Sequence, residues 1–580
     1  MLSAGPQSAA GLAAARAILQ KLRDDDHLAY LAGGCVRDLL LGREPKDYDV
    51  ATSATPGIVL DLFPRTFAVG AHFGVVLVSA EFEGIPTLTE VATFRSDGAY
   101  SDGRHPDQVR YTTSAKEDVQ RRDFTINGLL FDPDLLTPKM NTEKNEGKGS
   151  ENDTDQMEGK NRGFRMDTGL VERKGTGFVE GKGTGFVEGK GTGFVEGKGT
   201  GFVEGKGTGL VEGKGTGFSP YISAAEANGA LAPEGNEPSF PTAEVDALKA
   251  AVLDYVGGLA DLKSGVIRAI GSPHRRFEED HLRMLRAVRF AARFQFQIDP
   301  ATHSAIQSLA PKMEAVSRER VRDELTRMLT EGHARRAFEL LDATGLLAQV
   351  LPEVARLKGV AQPPQYHPEG DVWTHTLLLL TQLEPGCSMT LAWGALLHDI
   401  GKPATYQPPS GPGDRIRFNG HVEVGVRIGA EICRRLRFSN DETTQILALI
   451  ENHMRFADTQ RMKAATLKRF FRLDRFPEHL ALHRMDCRAS SLDMSGNLDN
   501  YHFARERYES MPPDEVRPKP LLTGRELIAA GYHPGAAFKT MLHAVEEAQL
   551  EGSIHTPEEA MALIRGQFPL SESEMRAPNA

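Results

Sequence analysis

From about residue 25 to residue 133 the apolar residues come in short runs. "FGVVLVSAEF" and "TLTEVATFR" alternate as half-buried strands do, and "RRDFTINGLLFDP" ends in a third apolar run. Earlier, Tyr30-Leu31-Ala32 predicts the end of a strand, Gly33-Gly34 a tight turn, Cys35–Leu41 a helix stopping at Gly42, and Lys46–Ala51 a further strand. After about 275 the period becomes helical, in "RRFEEDHLRMLRAVRFAARFQF", "SRERVRDELTRMLT" and "HARRAFELLDATGLLAQVL". One helix over Glu279–Phe294 would carry Leu285, Val288 and Ala292 on one face and Asp280, Arg283 and Arg286 on the other. A second all-helical block, rich in histidine, runs from about 365 to 495, and a shorter helical tail follows "PLLTGRELIAAGY". The pattern predicts an α+β chain: a mixed-sheet segment, then all-α blocks.

Between about 134 and 245 the pattern breaks. "KGTGFVEG" recurs in near-identical tandem, with lysines at 174, 182, 190, 198, 206 and 214. A period of eight fits neither a heptad nor the common solenoid lengths. Two or three glycines and a single Phe-Val or Leu-Val pair per repeat bury too little surface to offset ordering entropy. The expectation is a disordered insertion, with a small β-solenoid as the alternative. "INGLLFDP" before it and "VLDYVGGLADLKSGVIRAI" after it read as strands of one hairpin. A long loop there costs little, because each doubling of length adds only about 0.6 kcal/mol of closure entropy.

Composition narrows the classes. A chain of 580 residues, 40% hydrophobic and 25% charged, can bury several cores. No apolar run approaches 18 residues, so no transmembrane helix is expected, and the Ala-rich stretch near the N-terminus reads as an ordinary helix. Cys35, Cys387, Cys433 and Cys487 form no C-x-x-C pair, which predicts a reduced, cytoplasmic setting. A net charge of −11 argues against a sequence-blind nucleic-acid coat, though not against a local basic groove.

The densest chemistry lies in "GGCVRDLLLGREPKDYDV", Gly33 to Val50. A strand, a glycine turn and a helix start present backbone N–H groups to an anion, and Arg37 can add a phosphate contact. On a strand, Asp47 and Asp49 project to one face about 7 Å apart, an arrangement that is unfavourable unless a cation lies between them. Alone, each half reads equally as a surface turn and a capping aspartate; together they suit a polyphosphate and a divalent metal. "RRDFTIN" adds Arg121, Arg122, Asp123 and Asn127. Asp280 and Arg283 offer one acceptor and one donor fork, a match to the amino group and ring nitrogen shared by cytosine and adenine. The other reading of that helix is a solvated charged face.

These motifs, with Glu279-Asp280-His281-Leu282-Arg283 and Ser317-Arg318-Glu319-Arg320, resemble in order those of the class II tRNA nucleotidyltransferases (CCA-adding enzymes) and bacterial poly(A) polymerases. The likeness covers about 25 to 345, apart from the insertion. It implies a polymerase-β-like head with helical neck and body domains. It further implies that Asp47 and Asp49 are catalytic and hold Mg²⁺ for attack of an RNA 3′-hydroxyl on a nucleoside triphosphate. Gly34, Arg37, Arg122, Asp123 and Asn127 would bind the triphosphate or ribose, and Arg286 and Arg289 the nucleotide, while Asp280 and Arg283 read CTP and ATP. Glu90, in "TEVATFR", is either a third carboxylate or a structural strand residue. His281 departs from the template motif but points a quarter-turn from Asp280, so no effect on base choice is expected. The motifs do not separate CCA addition from A-addition or poly(A) synthesis. The acidic chain and the full-length polar loop at about Ser96–Val109 favour CCA addition.

After residue 365, "WTHT", "LLHDIGKPAT", "NGHVEVG", "ENHM" and "HRMDCRAS" carry His375, His398, Asp399 and Asp486, which resemble the HD phosphohydrolases, with His421 and His453 as the further ligands of a two-metal site. Such a ligand mixture suits Ni²⁺, Mn²⁺, Mg²⁺ or Fe; a purely structural HD domain is the alternative. The expected domains are 1–133 with 246–275 (head), 134–245 (insertion), 276–355 (neck and body), 356–495 (HD) and 496–580 (helical tail). The expected partners are a tRNA 3′ end, CTP and ATP, with neither DNA nor a membrane.

Overall fold

The computed structural model describes residues 6–68, 74–98, 100, 108–136, 187–189, 203–205, 248–491 and 496–570. These divide into two compact units, Met1–Arg283 with Phe296–Leu309 and Met284–Gln295 with Ala310–Ala580.

The first unit is built on a seven-stranded mixed sheet. Its strands are β1 (Ala29–Ala32), β2 (Asp49–Thr52), β3 (Thr66–Phe67), β4 (Val75–Phe82), β5 (Ile85–Thr93), β6 (Leu129–Phe131) and β7 (Val252–Asp254), in spatial order β7-β6-β1-β2-β5-β4-β3. β1 and β2 pair antiparallel with Ala32 opposite Asp49, and β2 and β5 pair parallel with Val50 opposite Val91. Leu31, Val50, Val76, Val78 and Val91 alternate inward along these strands and are buried. Helix α1 (Pro6–Asp24) lies against β4 and β5 and buries Ala14, Ala15, Ile18 and Leu22. β6 pairs antiparallel with β7, Leu130 opposite Leu253, so the strands on either side of the insertion form the expected hairpin.

Most of the insertion lies outside the described residues, and so does the expectation of disorder. Val187–Gly189 and Val203–Gly205 are described and pair in parallel, Val187 opposite Val203 and Glu188 opposite Glu204. The interior of the 96–109 loop is likewise outside the description, apart from Tyr100.

Two local expectations need correction. The strand bearing the acids begins at Asp49, not Lys46, so Asp47 sits in the extended lead-in. The helix expected over Glu279–Phe294 is two: α3 (Pro273–Glu279) and α4 (Leu282–Phe294). Asp280 leaves helical geometry at φ −151, ψ 106, and its Oδ1 accepts from Leu282 N at 3.1 Å, a local cap that competes with continuing the turn.

The named elements of the second unit, among the described residues, are helices, joined by loops that hold two isolated bridges. They include α5 (Arg318–Thr330), α6 (Val372–Leu380), α7 (Met389–Leu397), α8 (His421–Arg435), α9 (Asn440–Asn452) and α10 (Phe476–Ala489). Asp371, Ser388 and Ser439 cap the N-termini of α6, α7 and α9 by accepting from Thr374, Leu391 and Glu442 N–H groups. One core gathers Phe456, Phe470, Phe471 and Phe476; another, at 522–564, gathers Leu522, Leu527, Val545 and Ile564. No described helix is long and apolar enough to cross a membrane.

Candidate active site and metal centre

In the first unit the register places three carboxylates together. Asp49 and Glu90 each precede a residue of the Val50–Val91 pair on adjacent parallel strands, and Asp47 comes two residues before Asp49. Burial first, and neighbouring negative charge second, raise the proton affinities of all three. Removal from water, then Glu90 and Asp47, raises Asp49 well above the usual carboxylate range against the pull of Arg122. Glu90 is pushed up to about 7 by burial and then Asp47. Asp47, at the open edge, is also raised, by loss of water on its inner side and then by Asp38. A divalent cation would relieve all three, so the residues present fit the metal that the sequence motif implies.

The glycine turn that opens this site depends on Gly33. It has φ +72, and a Cβ there would come 3.1 Å from Arg122 Nη1. Gly34 begins the short helix α2 (Gly34–Leu40) beside Arg37, which is buried. The Arg37 guanidinium donates to Asp38 Oδ1 and, at 2.6 Å, to Asn127 Oδ1, whose amide in turn donates to Asp123 Oδ1 at 3.1 Å. Arg121 and Arg122 both donate to Asp118, which they hold below its ordinary value against burial. The motif arginines are thus held in place by acids of the head itself. Asp118 and Asp38 were not singled out in the sequence, although Asp118 stands only three and four residues before its partners.

Arg283 donates from Nη1 to Glu279 Oε2 and to the carbonyl of Arg276, both within 2.9 Å. Glu279 also accepts from Arg276 at 2.8 Å, so it fixes two guanidinium groups. Tyr100 donates to Asp97 at 2.6 Å and sits within the electrostatic reach of Arg283 and Glu279. His281 turns its Nδ1 to the carbonyl of Phe277 at 2.7 Å.

In the second unit Arg289 is 4% exposed and donates to Glu324 at 2.7 Å. Its guanidinium also reaches Glu331 and lies 4.3 Å from the Phe290 ring centre. Arg286 lies 3.7 Å from the same Glu324. Both arginines, expected at the nucleotide, are engaged with a carboxylate that is itself buried and held below its ordinary value against burial by Arg289 and Arg286.

A second centre gathers His375, His398, Asp399, His421, His453 and Asp486. His398, His421 and His453 donate from Nδ1 to the carbonyls of Ala395, Phe418 and Ile450 at 2.7–2.9 Å. A carbonyl can only accept, so each ring carries its proton on Nδ1 and turns a bare Nε2 lone pair inward. His375 is set the same way by Glu369 at 2.8 Å. All four Nε2 atoms are buried without a hydrogen bond. They face Asp399 or Asp486 at 3.1–3.8 Å. Four imidazole nitrogens around two carboxylates suit transition metals, and the groups His375-His398-Asp399 and Asp399-His421-His453 share Asp399.

Local structure makes this possible. His398 and Asp399 end α7, His421 begins α8 after Gly420, His453 follows α9, and Asp486 lies on α10. Gly401 lets the chain after Asp399 approach α8, for a Cβ there would fall 2.0 Å from the carbonyl oxygen of His421. Burial would lower His375, but Asp486, Glu369 and Asp399 prevail and raise it to about 9. His453 is lowered to about 4 by burial and then His398. Glu369, despite burial, is held down to about 2 by hydrogen bonds from His367 and His375. Lys402 Nζ, buried, lies 2.6 Å from Asp399 Oδ2. Sequence reasoning missed Glu369, His367 and Lys402. The Asp-x-x-Lys spacing of "HDIGK" was a signal for Lys402, whereas Glu369 comes from a loop that no helical period reaches.

Three family models match the chain: Poly A polymerase head domain over residues 29–142, Probable RNA and SrmB-binding site of polymerase A over 295–358, and HD domain over 372–494. The A-adding tRNA nucleotidyltransferase of Deinococcus radiodurans is 33% identical over 328 residues, 54% of this chain and 74% of that protein. The Multifunctional CCA protein of Nitrosococcus oceani is 34% identical over 317 residues, 54% of this chain and 75% of the relative. The CC-adding tRNA nucleotidyltransferase of Thermus thermophilus is 34% identical over 324 residues, 53% and 72% respectively. The fold is similar to that of the Bacillus stearothermophilus CCA-adding enzyme in complex with CTP, with a TM-score of 0.57 at 22% identity over 97% of this chain and 98% of that one. With its head and HD domain in that order and its three-carboxylate site in the matched head, the chain belongs to the tRNA nucleotidyltransferase family.

Proposed function

We propose that this chain synthesises and repairs the CCA end of tRNA from CTP and ATP in the cytoplasm. The observation that carries the reading is the meeting of Asp47, Asp49 and Glu90, whose raised proton affinities mark a site short of positive charge. Mg²⁺ held there would supply charge for an in-line displacement at the α-phosphate of the incoming nucleotide. Asp49 and Glu90 would hold it from the sheet and Asp47 from the open edge. Gly33 keeps the backbone of the turn clear, while the Arg37–Asn127–Asp123 chain and the Arg122–Asp118 pair hold the motif side chains beside the carboxylates. Arg283, with its guanidinium fixed by Glu279, and Asp280 would present the edge that accepts cytosine and adenine. Arg286 and Arg289 would act through Glu324 rather than by grasping phosphate.

The relatives include A-adding, CC-adding and multifunctional CCA proteins, so end specificity rests on this chain's own features. Its net charge of −11 is ill suited to holding arbitrary RNA. The test is direct. With Mg²⁺, CTP and ATP, purified protein should add C, C and A to a tRNA lacking its end and then stop. Long tails from ATP on unstructured RNA would make it a poly(A) polymerase; extension only of tRNA already ending in CC would make it an A-adding enzyme.

The HD centre we read as a phosphohydrolase for phosphomonoesters or 2′,3′-cyclic phosphates. Metal there would bring a bound water toward neutral pKa and hold phosphoryl oxygens. His375, His398, Asp399, His421, His453 and Asp486 would be its ligands, with Ni²⁺, Mn²⁺ or Mg²⁺ as candidates. A phosphate on a tRNA 3′ end blocks extension, and a hydrolase on the same chain would free the hydroxyl that the head requires. Joint replacement of His398 and Asp399 should remove phosphatase activity from Ni²⁺- or Mn²⁺-loaded protein while end synthesis continues.

A further inference from the structure

Arg276, in α3, is bonded to both of the segments that the first unit brings to the nucleotide. Its side chain is 12% exposed. On one side Nη2 donates to the carbonyl of Gln120 at 2.6 Å and Nη1 to that of Arg121 at 3.1 Å. These carbonyls close the short helix Ala115–Gln120, and the last carbonyls of a helix have no partner within it. Nε donates to the carbonyl of Ile270 at 3.2 Å. On the other side Nη1 donates to Glu279 Oε2 at 2.8 Å, the oxygen that Arg283 Nη1 also reaches at 2.8 Å. The carbonyl of Arg276 accepts from that same Arg283 nitrogen at 2.9 Å.

The two segments depend on Arg276 unequally. The chain at 268–270 already pairs with 123–125, Thr125 N donating to Arg268 O at 3.0 Å and Ile270 N to Asp123 O at 3.1 Å. Arg121 and Arg122 have their own anchor in Asp118. The RRDFTIN segment therefore has supports besides Arg276. Arg283 leans on it twice, through the shared Glu279 oxygen and through the Arg276 carbonyl. A planar guanidinium, with donors at fixed angles, can hold acceptors from several segments at once, which a single ammonium on a flexible stem cannot.

We propose that Arg276 is a positioning residue for base selection. It fastens the segment bearing Asp280 and Arg283 to the backbone of the RRDFTIN motif, so that the base edge is read at a fixed distance from the groups that hold sugar and triphosphate. This rests on the reading of Asp280 and Arg283 as the base-reading pair. A misplacement of about 1 Å is enough to spoil a directional contact, so a loosened pair loses discrimination.

The measurement is kcat/KM for CTP over UTP in the first addition to a tRNA lacking its end. Arg276→Ala should lower this ratio by roughly tenfold, and the double variant with Arg283→Ala should lose no more than Arg283→Ala alone. Inorganic tripolyphosphate, which has no base, should inhibit Arg276→Ala and wild-type protein equally to within about twofold. Arg276→Lys keeps the charge without the fork; it should lower the ratio by about threefold or more, and it carries the test if the Ala variant does not fold. Arg275→Ala, at a neighbour whose side chain is 84% exposed, should leave the ratio unchanged. An unchanged ratio in the Arg276 variants, additive losses in the double variant, or tripolyphosphate inhibition that weakens with Arg276→Ala overturns the positioning role. If Arg283→Ala itself leaves the ratio unchanged, the base-reading assignment fails and takes the proposal with it; if it lowers the ratio while the Arg276 variants do not, the positioning role alone is sunk.

Discussion

Replacing Glu90 with glutamine should make the metal-free head more stable and less active at once. Glu90 lies on β5, opposite Leu77 of β4 on one side and beside β2, which carries Asp49, on the other, and its carboxyl is raised from an ordinary 4.5 to about 7, by burial first and Asp47 second. A folded-state value above the unfolded one means that the native state binds more protons between pH 4.5 and 7. Stability is therefore lost as pH rises through that window. At about 1.4 kcal/mol for each pH unit, ionised Glu90 costs the metal-free fold at most about 3 kcal/mol at pH 8. Glutamine keeps the shape and removes the charge. A chain with two compact units need not unfold in one step, so the measurement should be local. Hydrogen exchange at the Val50 and Val91 amides, in EDTA at pH 8, should slow by up to roughly a hundredfold in Glu90→Gln, with the difference fading toward pH 5. Added Mg²⁺ should slow exchange in wild-type protein and much less in the variant, and nucleotide incorporation by the variant should fall. Faster exchange in Glu90→Gln without metal, or equal Mg²⁺ protection in both proteins, would refute the view that Glu90 stands at a site built for a cation.

The other predictions concern neighbouring parts of the chain. Arg289→Ala should cost about 3–5 kcal/mol in chemical denaturation, because it leaves Glu324 buried without its main partner; a stable variant with a raised KM for nucleotide would return Arg289 to the substrate. Arg283→Ala should relax discrimination against UTP and GTP by about 1–3 kcal/mol, measured as kcat/KM ratios. Glu279→Gln should do so more mildly by freeing the Arg283 guanidinium, and equal slowing with all four nucleotides would assign the pair to phosphate binding. Deleting about 141–240 should leave end synthesis near normal, since the repeats have no apolar periodicity to add to a core; loss of soluble protein would show that they pack.

Much of the head was legible because its signals are local. The alternation in "FGVVLVSAEF" and "TLTEVATFR" became β4 and β5, and the hairpin across the insertion could be read from two apolar runs that needed each other. What failed was local as well, but depended on side-chain competition. Asp280 satisfies the Leu282 N–H and breaks the helix that its neighbours' propensities would continue. Charged residues were harder still. Arg286 and Arg289 look in sequence like groups reaching for an anion, and the acid that engages both, Glu324, lies 38 and 35 residues away. Nothing in the periodicity of one segment reports a partner supplied by another.

The HD centre reverses that lesson. Its six ligands were readable as residue types in order, yet the feature that makes them a metal site is a choice of nitrogen. A histidine with both nitrogens satisfied is an ordinary core residue, and any of these four could have been one. Each Nδ1 is instead committed to a carbonyl or to Glu369, and each Nε2 is left without a hydrogen bond in a buried space shared with Asp399 and Asp486. His375 and His398 face carboxylate oxygens at 3.1 and 3.2 Å, but His421 and His453 stand 3.8 Å from Asp399, and leaving such buried groups unsatisfied would cost free energy if nothing ever occupied the space between them. A structural HD domain would have no reason to bear that cost, since apolar or mutually hydrogen-bonded side chains would fill the same volume more stably. The unsatisfied nitrogens therefore favour a metal-binding centre over a decayed one. The point can be checked without any substrate. Metal-stripped wild-type protein should gain thermal stability on adding Ni²⁺ or Mn²⁺. The His398→Ala, Asp399→Ala double variant should not, and an equal gain in both would place the ion elsewhere.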